Sequence, residues 1–227
     1  MKSPLTEVTK CLSYHKYNER ERVDQIIKTL EAGQKIALVS DAGTPLICDP
    51  GSVIVKELRN RGFRVTSLPG ANAIATFLSQ VSREDEQFSF IGFLPKSEQK
   101  IQKLVTDYED KDLVFYESPN RILQTLNIIK TVRPQAQIAA GRELTKIFEE
   151  VLVDNVENLI KHFELNFPKG EFVVLVYRGQ NQSDDKTITD RVKLLQNKGF
   201  SPKDISVILS ELYNLNKNKI YKICINK

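Results

Sequence analysis

Lys35-Ile36-Ala37-Leu38-Val39-Ser40 runs straight into Asp41-Ala42-Gly43-Thr44-Pro45-Leu46, and this join decides the reading of the chain. The first half is a short, nearly continuous apolar run, the pattern of a strand buried on both faces. The second half is a turn in which Gly43 permits close backbone approach and Asp41 offers acceptors to an amino or hydroxyl group. In open parallel sheets, ligands bind beyond the carboxyl ends of the strands, and this turn occupies that place. Gly, Pro and Asp are equally at home in a purely structural strand-to-helix connection.

Working outward, Val23, Ile26, Ile27 and Leu30 fall at helical spacing, with Gly33 as a stop. A helix is predicted over 52–61, a strand over 64–68 and a helix over 71–80. Strand, helix and strand in alternation predict a largely parallel sheet covered by helices. Pro69-Gly70-Ala71-Asn72-Ala73 repeats the small-residue turn one strand later, and small side chains there leave backbone N–H groups open to a ligand.

The charged stretch 82–87 is the expected domain boundary. After it, strands are predicted over 88–93, 112–116, 137–140, 146–153 and 172–177, with helices over 98–108, 120–132 and 155–163. Polar residues 179–186 read as a linker, beyond which the pattern is helical. Ser201-Pro202-Lys203-Asp204 is a helix start, with Ile205, Ile208, Leu209 and Leu212 on one face. A last short helix fits 217–225. The fold class is therefore α/β. Its expected parts are a first α/β domain over 1–82, a second over 83–179 and a small helical module over 187–227.

The chain of 227 residues is 41% hydrophobic and 27% charged, an ordinary globular composition that excludes global disorder. No apolar stretch reaches the ~20 residues of a membrane span, and the first residues lack the layout of a secretory signal. Cys11, Cys48 and Cys224 suggest neither a disulfide framework nor a zinc site, so no metal is expected and the expected compartment is the cytoplasm. Residues 1–180 carry 24 basic and 24 acidic side chains, so the net charge of +4 belongs wholly to the last 47 residues. A localised basic segment adds affinity for phosphate backbones, though so small an excess also suits a solvated surface. Neither a G-x-G-x-x-G nor a G-K-[ST] motif is present, which removes support for a Rossmann dinucleotide site or a P-loop.

The order of Val39 to Ile47, Asp49-Pro50-Gly51, Pro69 to Ala73 and Phe90-Ile91-Gly92-Phe93-Leu94-Pro95 resembles one family. Phe115-Tyr116-Glu117-Ser118-Pro119-Asn120-Arg121-Ile122, Arg142-Glu143-Leu144-Thr145-Lys146 and Lys169-Gly170-Glu171-Phe172-Val173 extend the match. The family is ribosomal RNA small subunit methyltransferase I, a branch of the tetrapyrrole methylases. The resemblance runs from about Leu12 to the end of the chain, including Lys219-Ile220-Tyr221-Lys222.

The resemblance implies two α/β domains with S-adenosylmethionine in the cleft between them, a homodimer, and no membrane partner. It implies methylation of a cytidine ribose 2′-hydroxyl in 16S rRNA of the small ribosomal subunit. Carried over by motif, the cofactor loops are Asp41, Ala42, Gly43, Thr44, Pro45 and Leu46 together with Ala71, Asn72 and Ala73. Tyr116, Ala139 and Ala140 complete the expected wall. Family members begin with a strand leading into a Pro-x-Gly-Asn-Leu loop, whereas this sequence joins the pattern only at Leu12, so the first domain is expected to be incomplete at its start. An N-terminally truncated, inactive remnant that at most binds RNA or a partner, and a methylase of small tetrapyrroles, remain as alternatives.

A weakly acidic ribose hydroxyl must be deprotonated or strongly oriented to attack a sulfonium methyl in line. Orientation alone contributes about 7–11 kcal/mol in favourable cases. Glu117, Glu143 and Lys146 are the candidates to orient the hydroxyl or accept its proton, and Arg142 to hold a phosphate. An interdomain or dimer salt-bridge network fits the same residues. His15, beside Tyr14 and Tyr17, is a candidate RNA contact, with Arg121 and the tail lysines Lys217, Lys219 and Lys222. His162 falls off the apolar helix face formed by Val156, Leu159, Ile160 and Phe163, and is expected in solvent.

Overall fold

The computed structural model describes residues 11–84, 86–167, 169–179, 185–213 and 215–225, with the side chains of 185–187 and 219 excepted. Among the described residues it contains nine helices and five strands.

Helix α1 (Glu19–Glu31) buries Ile26 and Ile27, and Gly33, at φ 77°, ends its last turn as expected. Helix α2 (Ser52–Asn60) packs against it through Ile54. One carboxylate joins their starts: Glu19 Oε1 accepts from the Gly51 N–H at 2.9 Å and from the Tyr14 hydroxyl at 3.2 Å. Gly51 is required at this point. Its φ is 140°, and a Cβ there would come within 2.7 Å of Leu46 Cδ1.

Two of the predicted strands do not form. Residues 35–40 and 64–68 run between helices without entering any ladder. Ile36 is 42% exposed, Val39 81% and Leu68 87%. An apolar run becomes a strand only when a neighbour receives its N–H and C=O groups, and none of the described residues does so here.

The sheet lies in residues 88–176. Its strands are β1 (Phe88–Phe93), β2 (Asp112–Glu117), β3 (Gln137–Arg142), β4 (Glu150–Asn155) and β5 (Phe172–Val176), in the order β1-β2-β5-β3-β4. Only β1 and β2 are parallel neighbours, and β5 runs antiparallel to both β2 and β3. The sheet is thus mixed, which corrects the largely parallel expectation: β5 is inserted against the direction of the strands it separates. All five of its residues are buried. The strand predicted from Lys146 starts instead at Glu150, because 143–149 close on themselves in two turns with Glu143 at φ 49° and Thr145 at φ 65°.

One face of the sheet is covered by α4 (Glu98–Asp107), α5 (Ile122–Val132) and α6 (Val156–Leu165), whose Ile101, Leu126 and Phe163 pack on Phe115, Ala140 and Val174. The other face receives the short helix α3 (Ala73–Leu78). Its Phe77 is wholly buried against Val114, Ala139, Val173 and Leu175. Gly141 makes this approach possible, since a Cβ there would meet Phe77 Cδ2 at 2.5 Å.

Helices α7 (Asp185–Asn197), α8 (Pro202–Tyr213) and α9 (Lys217–Ile225) have a core of their own, built on Ile188, Val192, Ile205, Leu209, Ile220 and Cys224. Ser201 caps α8 by accepting from the Asp204 N–H at 3.2 Å. Leu212, expected on the apolar face, is 69% exposed one turn beyond Leu209. The linker expected over 179–186 is shortened by α7, which starts at Asp185, and residues 180–184 lie outside those described.

Candidate active site

Three strand exits meet at one edge. Strand β1 parallels β2, and both Glu117 of β2 and Arg142 of β3 pair with Phe172, the first residue of β5. The carboxyl ends of β1, β2 and β3 therefore lie at the same edge of the sheet, with the start of β5 between those of β2 and β3, as the sequence pattern requires for Glu117 and Arg142-Glu143.

The two small-residue turns of the first region come together as well. The Thr44 hydroxyl donates to the Ala71 carbonyl at 3.1 Å, and Gly43 lies against the same carbonyl. Ser40 folds the first turn by donating to the carbonyls of Ala42 and Gly43 at 3.1 and 3.2 Å. Asp41, Ala42 and Gly43 are exposed at its tip, with Pro45 half-buried and Leu46 at φ 70°. Asn72 is the N-cap of α3: its Oδ1 accepts from the N–H groups of Ile74 and Ala75 at 3.0 and 3.2 Å. That fixes the second turn and engages the Asn72 Oδ1. Ala73 packs with the Phe77 cluster.

Tyr116 of β2 lies on the face of the sheet that carries α3, near Cys48 and Asp49 of the first turn. Its ring meets Phe90 at 5.1 Å and Phe93 at 5.4 Å between centroids. Burial, followed by the nearby Cys48, Asp49 and Glu171, pushes its hydroxyl pKa up. Cys48, itself raised by burial and by Asp49, has its sulfur 3.1 Å from where a Cβ on Gly92 would lie. Gly92 at φ 72° is where the β1–β2 register shifts, and the Cys48 turn fits against it. An open groove of about 590 Å³ runs from Ile47 and Asn72 past Ile74 to Phe88, Phe90 and Arg83.

Ala139 and Ala140, expected in the cleft wall, are both interior. Ala139 lies beneath Phe77 on one face and Ala140 beneath the helices on the other. Helix α3 and α5–α6 take the space that the expectation leaves to a ligand.

Arg142 Nε donates to Glu150 Oε2 at 2.6 Å, and its Nη1 to the Lys169 carbonyl at 3.4 Å. Glu150 Oε1 lies 3.2 Å from His162 Nε2. His162 is therefore turned inward, ring edge on Phe163, and not into solvent as expected. Glu143 pairs with Lys146 at 3.0 Å, and its carboxylate lies where a Cβ on Gly170 would otherwise stand. Glu117 has no exposure: Oε1 accepts from the Ser118 N–H at 2.8 Å and Oε2 from the Thr125 hydroxyl at 2.7 Å. Arg121 donates to the carbonyls of Leu94 and Pro95 at 3.3 and 2.8 Å.

His15 is exposed, its ring 6.1 Å from the 92% exposed Tyr17, whereas the Tyr14 hydroxyl is bound to Glu19. Lys217 and Lys222 are exposed on α9, and the Lys219 side chain lies outside the described residues. Sequence reasoning missed Glu150, Thr125 and the Cys48–Gly92 contact. Each depends on a partner 8 to 44 positions away, and no local pattern announces it.

Residues 3–160 match the family of tetrapyrrole (corrin/porphyrin) methylases. A ribosomal RNA small subunit methyltransferase I from Pasteurella multocida is 37% identical over 92% of this chain and 76% of its own length. Its counterpart from Haemophilus influenzae is 39% identical, with the same coverage of both chains. Among solved structures, the methyltransferase CobJ superposes with a TM-score of 0.54 at 19% identity, covering 71% of this chain and 72% of its own. A diphthine synthase gives 0.54 at 16% identity, covering 70% and 67%. Two small-residue turns locked together at the carboxyl edge of a mixed sheet, with matches of this extent, leave one family for the chain: it belongs to the tetrapyrrole methylases, in the branch of ribosomal RNA small subunit methyltransferase I.

Proposed function

We propose that this chain is an S-adenosylmethionine-dependent rRNA methyltransferase whose product is the 2′-O-methyl ether of a cytidine ribose in 16S rRNA of the small subunit. The observation that carries the reading is the meeting of the Asp41–Leu46 and Ala71–Ala73 turns, through Thr44 and Ala71, beside the exits of three parallel-running strands.

The residues present fit the methyl donor. Exposed backbone at Ala42 and Gly43 and the Asp41 carboxylate suit its amino and hydroxyl groups, and the ring face of Tyr116 with Phe90 and Phe93 suits its base. When bound, the donor supplies an electrophilic sulfonium methyl. The chain's own contribution is orientation and charge. Arg142, held by Glu150 and the Lys169 carbonyl, keeps a guanidinium at the sheet edge that suits an RNA phosphate. Glu143 and Lys146, paired at 3.0 Å, can align a ribose hydroxyl between an acceptor and a donor. His15 and Tyr17 in the first region, and Lys217 and Lys222 on α9, extend the RNA-facing surface. Action as a homodimer in the cytoplasm belongs to the same reading; no helix among the described residues is long and apolar enough to cross a membrane.

The test is transfer of labelled methyl from S-adenosylmethionine to small subunits purified from a strain lacking the enzyme. Label recovered on a cytidine 2′-oxygen after nuclease digestion is the expected result. Transfer to a corrinoid precursor with none to subunits would overturn the proposal.

A further inference from the structure

Strand alternation separates two neighbours that the sequence places together. Val114 and Tyr116 point to the face carrying α3, whereas Phe115 and Glu117 point to the face carrying α5. Glu117 is thus on the wrong face to touch anything held beside Tyr116, and both of its oxygens are already engaged. Arg121 is engaged too. Its guanidinium forks onto the Leu94 and Pro95 carbonyls, just past the end of β1, while Nη2 lies 3.6 Å from Glu117 Oε2.

A guanidinium that grips two successive carbonyls fixes a turn as a planar fork, which an ammonium cannot do. A buried carboxylate beside it removes most of the guanidinium's freedom to swing toward solvent. The pair ties the exit of β1 to the exit of β2 at the edge where Phe93 meets Tyr116.

Resting on the function proposed above, we infer that Arg121 is a positioning residue. Held by Glu117, which Thr125 holds in turn, it clamps the Leu94-Pro95 turn and so sets the Phe93–Tyr116 wall of the methyl-donor site; it does not contact RNA. Glu117 on this reading orients Arg121 and accepts no proton from substrate.

The experiment compares the full chain with R121K, R121Q, E117Q and T125V. Amide hydrogen exchange at Phe93, Leu94 and Lys96 is read without ligand and is expected to quicken about tenfold in R121K and R121Q. Binding of S-adenosylhomocysteine by titration calorimetry is expected to weaken about tenfold in both, and about threefold in T125V, which removes only one hydroxyl from behind the clamp. In turnover with saturating subunits, KM for the methyl donor rises while kcat stays within twofold. A mere loss of folded protein would lower kcat and leave KM alone. The salt dependence of small-subunit binding stays unchanged. Unaltered exchange and donor binding, with a salt slope smaller by about one in R121Q, would make Arg121 a phosphate contact and overturn the inference. Failure of the unsubstituted chain to bind S-adenosylhomocysteine would instead sink the proposed function, and the exchange rates would still decide whether the clamp exists.

Discussion

Ile36-Ala37-Leu38-Val39 and Phe172-Val173-Val174-Leu175-Val176 have the same signature, a short unbroken apolar run bounded by polar or small residues. The second is the centre of the sheet, buried at every position and bonded to strands on both sides. The first is extended and solvent-facing, with Val39 81% exposed and no ladder among the described residues. Composition sets the capacity to be a strand, and partners decide the outcome. Around β5 the long-range pairing is satisfied twice over; around Ile36–Val39 the local elements, α1 and α2, form on their own sequence without it.

The contrast can be broken by matched substitutions. Val174→Asp places an unpaired charge in the fully buried central strand and is expected to cost more than about 4 kcal/mol, enough to unfold the sheet. Val39→Asp, the same chemical change in the exposed run, should stay within about 0.5 kcal/mol. Urea titration of the two variants decides, and equal losses would mean that Ile36–Val39 is packed in solution.

Phe77→Ala removes the side chain by which α3 grips the sheet, at an expected cost of about 3–5 kcal/mol in thermal unfolding. Gly141→Ala attacks the same contact from below. The added methyl overlaps Phe77, so about 1–3 kcal/mol is expected, with looser methyl-donor binding because the Ala71–Ala73 turn moves with α3.

A smaller loss than at Phe77 or Gly141 is expected at Tyr14. Tyr14→Phe deletes the bond to Glu19 and should cost about 1 kcal/mol. Burial, reinforced by Glu19, pushes the Tyr14 hydroxyl from 10.0 up to about 12. The folded state therefore holds this proton more tightly than the unfolded one. Its contribution is complete below pH 10.0 and is lost as the pH rises toward about 12. Alkaline titration of stability should show this loss in the parent chain and not in the phenylalanine variant.

What the sequence made legible follows the same division. Helices α1 to α6, α8 and α9 and strands β1, β2, β3 and β5 are readable because periodicity and helix-start residues are local. The mixed direction of the sheet was not, since β5 gives no sign in its own residues of which way it runs between neighbours. Within the site, the Asp41–Leu46 and Ala71–Ala73 turns were legible from their small residues and their place after apolar runs. The environments of Glu117, Ala139 and Ala140 were not. A residue's face follows from strand register and from what packs there, and Thr125, Phe77 and Leu126 come from other elements. His162 was misread for that reason: helical spacing put it off the apolar face, while Glu150 across the chain drew it in.

The position of β5 bears on how the chain is made. Among the described residues it is the last strand in chain order and the only bridge between the pair β1-β2 and the pair β3-β4. During synthesis the two pairs can form early, but they have no shared ladder until Phe172–Val176 has left the ribosome. The central seam then closes through contacts of long sequence separation, such as Leu113 with Val176, which are slow to find. Until that moment β2 and β3 each present an open, apolar inner edge, the kind of surface that invites pairing with another chain. A nascent chain paused before residue 172 is for this reason the species that chaperones would be expected to hold.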